Sequence, residues 1–159
     1  MSKTINKVIL NLILLFSIFA LLAAYFIQYI LGHEPCNLCL IERIPYIISI
    51  IIITLNLIKK KYEKILLIFL TIIFLFAALI SFYHFGIEQG FISESLICNL
   101  SNENNLSKEA ILNELNTKII SCKDVYFKIF GLSLASINTI FSLTFSAITF
   151  KLFLDYEKN

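Results

Sequence analysis

Residues 65–85 read Ile65-Leu-Leu-Ile-Phe-Leu70-Thr-Ile-Ile-Phe74-Leu-Phe-Ala-Ala-Leu-Ile80-Ser-Phe-Tyr-His84-Phe85, without a single Asp, Glu, Lys or Arg. A helix needs roughly 20 apolar residues to cross a ~30 Å hydrocarbon layer, and this stretch suffices. Three further runs are also long and strongly apolar: Val8–Leu31, Leu40–Ile58 with Glu42 and Arg43 near its start, and Phe127–Phe150 with Lys128 near its start. Lipid offers backbone N–H and C=O groups no partner, so each run must pair its own as a helix. None alternates polar with apolar residues as a β-barrel strand does. The expected fold is therefore all-α, a bundle of four transmembrane helices. It forms one integral membrane domain over 1–159, with passes at about 8–31, 40–58, 65–85 and 127–150. Lys3 and Lys7 before the first run could suggest a secretory signal. A signal core is only about 7–15 residues long and ends at a small-residue cleavage site. This run is longer, no such site follows, and it is read as a retained helix.

Composition agrees. The chain is 58% hydrophobic and 15% charged, with mean hydropathy +0.86, where a soluble domain carries about a quarter charged residues. A net charge of +2, with no basic run interleaved with aromatics, argues against a nucleic-acid partner. Lysines and arginines gather on the cytoplasmic side of a membrane protein. Lys3, Lys7, Lys59, Lys60, Lys61, Lys64, Lys151 and Lys158 fall on the side of the two termini and the 59–64 hairpin. Arg43, Lys108, Lys118, Lys123 and Lys128 fall on the other, among eight acids. Both termini are expected in the cytoplasm, with outer loops at about 32–39 and 86–126.

All four cysteines then lie outside: Cys36 and Cys39 between passes one and two, Cys98 and Cys122 between passes three and four. Disulfides persist in oxidising compartments such as the bacterial periplasm. Three readings compete: structural staples, a zinc site made by all four cysteines, and a dithiol relay. A two-residue gap closes so small a loop that a staple there constrains little of the unfolded chain. A zinc site would want a second close pair, which is lacking; no metal ligand is assigned. A C-x-x-C pair commonly carries one reactive thiolate. With a helix starting at Leu40, Cys39 would face unpaired N–H groups, with Arg43 on the same face, and both would favour its thiolate. His84, at the outer end of pass three, could hydrogen-bond a ligand or move a proton; the plainer reading is a satisfied polar group. Glu42 could pair with a neighbour or be a solvated rim charge, and Asn138 reads as a bond between helices. Ile111, Leu112, Leu115 and Ile119, after a cap at Ser107, predict a short amphipathic helix in the second outer loop.

The run Cys36-Asn-Leu-Cys39-Leu-Ile-Glu-Arg43-Ile-Pro-Tyr46 resembles the signature of the DsbB family of disulfide bond formation proteins. So do Tyr83-His84-Phe-Gly86-Ile-Glu88-Gln-Gly90, Cys122-Lys-Asp124, and Phe130-Gly131 through Asn138. The likeness covers nearly the whole chain. It implies a protein of the bacterial inner membrane, with its cysteines facing the periplasm, that reoxidises a DsbA-like thioredoxin-fold partner and passes the electrons to ubiquinone or menaquinone. Cys98 would be attacked by the partner's thiolate and Cys122 would resolve it. Electrons would enter the first pair through Cys36. Cys39 would face the quinone, with Arg43 and His84 helping to bind it. The alternative of another class is a disulfide-stapled membrane scaffold without redox catalysis.

Overall fold

The computed structural model describes residues 2–58, 63–93, 98, 121–123, 128–129 and 131–157. Helix α1 spans Ser2–Tyr29, α2 Asn37–Ile41, α3 Ile44–Ile58 and α4 Glu63–Glu88. Strands β1 (Lys128–Ile129) and β2 (Leu132–Ser133) form a small antiparallel hairpin ahead of α5, Leu134–Glu157. Among the described residues, four segments are long and apolar enough to cross a membrane: Lys7–Tyr29, Asn37–Leu57, Glu63–Glu88 and Leu134–Tyr156. The amphipathic helix expected over 107–119 lies outside the described residues.

Two expected boundaries move. The helix carrying pass four begins at Leu134, not near Phe127. Gly131, at φ +83°, closes the hairpin, and the Ser136 N–H donates to Ser133 Oγ at 3.2 Å. Ser133 is thus the N-cap that fixes where helical pairing starts. Pass two begins at Asn37 rather than Leu40 and is broken after Ile41. Pro45 supplies the reason: it has no N–H to give the Ile41 carbonyl, and its ring crowds that carbonyl. The chain crosses Glu42–Arg43 in a tight turn, with Arg43 N–H reaching Leu40 O at 3.2 Å.

The bundle carries its large apolar side chains outside as well as in. Leu12, Leu15, Phe19 and Leu22 of α1 and Phe69, Ile72, Phe76 and Leu79 of α4 are exposed, as a lipid-facing surface requires. Small polar residues lie inside. Ser17 and Ser49 join α1 to α3 at 3.1 Å, and Thr71 donates to Thr149 at 3.0 Å between α4 and α5. Small residues allow close helix approach where lipid removes the hydrophobic drive, while each such bond contributes only about 0.6 kcal/mol. Packing therefore carries most of the cohesion. Phe16, Phe74, Phe141 and Phe145 form its aromatic centre, with neighbouring rings 4.5–6.2 Å apart. α5 lies principally along α4, and α1 along α3. This pairing brings the C-terminal ends of α1 and α4 to the N-terminal ends of α2 and α5.

Candidate functional site

At that end a second buried cluster contains Cys36, Leu38, Ile87, Cys98 and Cys122, with Cys39, Ile41, Ile80 and Tyr83 packed on it. Cys98 and Cys122 are joined as a disulfide, whereas Cys36 and Cys39 are free. Both cysteine pairs thus meet at one place, although 24 residues separate the members of the outer pair.

Cys36 is the N-cap of α2, and its Sγ accepts the Cys39 backbone N–H at 3.2 Å. The donor end of the helix therefore meets Cys36, and the placement expected at Cys39 is corrected; the cause is the earlier helix start. Hydrogen bonding from the Cys39 thiol holds the Cys36 thiol below its ordinary value, helped by the Cys39 and Leu38 backbone N–H groups and opposed by burial and Glu42. Cys39, on the helix itself, is half-buried beside the exposed Leu40.

His84 comes from α4 and stands over this pair. Its Nε2 lies 3.6 Å from Cys36 Sγ and its Nδ1 lies 2.7 Å from Glu42 Oε1. A carboxylate accepts only, so Nδ1 donates to Glu42 and Nε2 is the ring nitrogen turned toward the sulfur. Glu88, one turn along α4, approaches Nε2 at 3.8 Å. Glu42 is held in turn by Asn138 of α5, whose Nδ2 donates to Glu42 Oε2 at 2.8 Å and to Ser81 Oγ at 2.6 Å. Tyr46 Oη donates to Asn138 Oδ1. α3, α4 and α5 thereby fix one imidazole through a single network.

Arg43 points elsewhere. Its Nη1 donates to Gln28 Oε1 of α1 at 2.6 Å, and its guanidinium lies 5.1 Å from the Tyr25 ring centre. With exposed Leu40, Ile44 and Tyr25, it borders an apolar rim open to the bundle surface.

Every singled-out site residue is accounted for: Cys36, Cys39 and His84 stand together, Cys98 and Cys122 join the same cluster, and Arg43 reaches α1. Sequence reasoning left Glu42 unassigned and saw Asn138 only as a tie between helices. An ionisable residue within a spanning segment is a functional candidate by default, and that rule could have singled out Glu42.

The family model described as Disulfide bond formation protein DsbB matches residues 6–152. An uncharacterized protein of Rickettsia prowazekii (strain Madrid E) is 33% identical over 153 residues, covering 90% of this chain and 89% of that one. No solved structure matches the chain.

Proposed function

The chain belongs to the DsbB family of disulfide bond formation proteins, and we propose that it oxidises a periplasmic DsbA-like, thioredoxin-fold partner and delivers the electrons to membrane quinone. The observation that carries this reading is the burial of Cys36, Cys98 and Cys122 in one cluster with Cys39 against it. Thiol–disulfide exchange requires sulfur to meet sulfur, and staples would have no reason to converge.

The steps balance as follows. A partner thiolate attacks Cys98 and breaks the Cys98–Cys122 bond. The partner's second thiolate then displaces Cys98, so the partner leaves as a disulfide and the outer pair is a dithiol. Cys122 next attacks Cys36 of an oxidised Cys36–Cys39 pair, expelling Cys39 as thiolate. Cys98 attacks Cys122, restores the outer disulfide and frees Cys36. The exchange ends with an outer disulfide beside a reduced inner pair, from which the electrons leave.

The apolar rim of Leu40, Ile44 and Tyr25, with one cation at Arg43, suits a lipid-soluble ring bearing carbonyl oxygens. Cys39, Arg43 and His84 would hold ubiquinone or menaquinone there. A bound quinone accepts the two electrons and two protons that dithiol oxidation releases. Cys39, expelled as thiolate in the exchange, is the sulfur that would reduce the quinone, while His84 Nε2 takes the proton of Cys36. Glu42 stabilises the resulting imidazolium and Asn138 keeps Glu42 in place. We read both termini as cytoplasmic and the cysteines as periplasmic, in the bacterial inner membrane.

The test is quinone reduction by purified protein supplied with a reduced DsbA-like partner. Cys36→Ser and Cys39→Ser should each abolish it. Full turnover in either variant would identify the chain as a stapled scaffold instead.

A further inference from the structure

His84 Nε2, Cys36 Sγ and Cys39 Sγ all lie within 4.8 Å of one another. A tetrahedral zinc ion with bonds of about 2.3 Å to sulfur and about 2.0–2.1 Å to nitrogen sets those ligand atoms about 3.6 Å apart. The Cys36 Sγ to His84 Nε2 separation is 3.6 Å. The spacing needed to seat the ion is thus already present on that edge.

The surroundings match as well. Histidines that bind metal almost always donate their other ring N–H to a carboxylate or carbonyl, which fixes the tautomer and turns the lone pair toward the ion. His84 does this through Glu42 Oε1 at 2.7 Å, and Asn138 secures the other carboxylate oxygen at 2.8 Å. Two thiolates neutralise one divalent cation, so the loaded centre would bring no net charge into a buried site.

We propose that the reduced Cys36–Cys39 pair and His84 form a redox-gated site for one zinc-type divalent cation, and that its loading blocks the inner dithiol. Binding replaces two thiol protons by one M²⁺ and leaves the fourth position to water or another small donor. Forming the Cys36–Cys39 disulfide removes two of three protein ligands at once and ejects the ion. The cation and the electron acceptor therefore compete for the same two sulfurs. Because the ion binds only the reduced form, each tenfold rise of free cation above its Kd raises the pair's reduction potential by about 30 mV. Zinc would thus make the dithiol a poorer electron donor. Binding stands on the geometry alone; its regulatory meaning rests on the redox function proposed above.

The experiment uses the full chain in detergent with Cys98→Ser and Cys122→Ser, so that only the inner pair can bind. Cobalt(II) titration of reduced protein should give one equivalent, with sulfur-to-cobalt charge-transfer absorption and tetrahedral ligand-field bands that zinc displaces. Oxidation to the disulfide should erase the signal, and Cys36→Ser should abolish it. His84→Ala should shift the ligand-field bands and weaken binding at least tenfold. Glu42→Gln, which leaves all three ligands in place, should weaken it by about 10–100-fold. X-ray absorption of the zinc-loaded chain with His84 intact should count two sulfurs and one imidazole nitrogen. No charge-transfer band in the reduced chain, a band that survives oxidation, or a zinc shell without imidazole would overturn the site. If the parent chain reduces quinone but its Cys98→Ser, Cys122→Ser form takes no cobalt, only the metal site is refuted. If that form takes cobalt but the parent chain cannot reduce quinone, only the redox function is refuted.

Discussion

Glu42 determines what His84 can do. Its carboxylate accepts from Nδ1 at 2.7 Å and so leaves Nε2 as the ring nitrogen facing Cys36. In Glu42→Gln the amide can donate to Nδ1 instead, which would put the proton on Nε2 and remove the base. Quinone reduction should fall about 10²-fold or more, in kcat, with the KM for quinone unchanged; an equal loss in both would mean that Glu42 shapes the rim. Cys36 makes a separate prediction. The Cys39 thiol lowers the Cys36 pKa, so Cys39→Ala should move the onset of Cys36 thiolate absorption to higher pH. The sign follows from linkage: a depressed folded pKa gives stability that is full above the ordinary thiol value and is lost as pH falls through the lowered one. An onset unmoved by Cys39→Ala would show that the backbone N–H groups alone hold the thiolate. The cysteines, His84 and Arg43 were legible because their residue types advertise chemistry. Glu42 and Asn138 were not, because nothing local says that residues 96 apart share a hydrogen bond.

At the scale of elements, short terminal motifs aim the site. The break between α2 and α3, fixed by Pro45, lets Glu42 turn inward while Arg43 reaches α1. At the end of α4, Phe91 N–H returns to Gly86 O at 2.9 Å and Gly90 N–H to Ile87 O at 3.0 Å. This paired closure needs a left-handed residue at Gly90, where φ is +75°. Gly90→Ala should cost about 1–2 kcal/mol, read as lower thermal stability in detergent, while Gly32→Ala, at φ +71° after the end of α1, serves as a comparison for strain alone. If Gly90→Ala matches the parent in stability, that closure does not hold the end of α4. Gly86 lies within α4, where an added Cβ would come 2.7 Å from Ile92 Cδ1; its role is close approach. The starts of α2 and α5 were misread for a common reason. Hydropathy reports how deep a residue sits in lipid, whereas a helix starts where an N-cap satisfies its first donors, at Cys36 and Ser133.

For the whole molecule, pairing α4 with α5 and α1 with α3 gathers both cysteine pairs at one end of the bundle, and the lysine distribution predicts which compartment that end faces. A membrane-impermeant thiol reagent, added after reduction to cells with a permeabilised outer membrane, should label Cys98 and Cys122 without opening the inner membrane. Labelling that requires inner-membrane rupture would place the cluster in the cytoplasm and rule out a periplasmic partner. By itself the sequence determined four membrane helices, because lipid leaves the backbone no other way to pair, and it marked the thiols, because C-x-x-C spacing is a property of the chain alone. Only the tertiary structure decided that Cys36 meets the helix N-terminus, that His84 takes its orientation from Glu42 and Asn138, and that the two pairs share a cluster. Those relations depend on how a broken helix turns and how separate helices pack, which hydropathy along one chain does not encode.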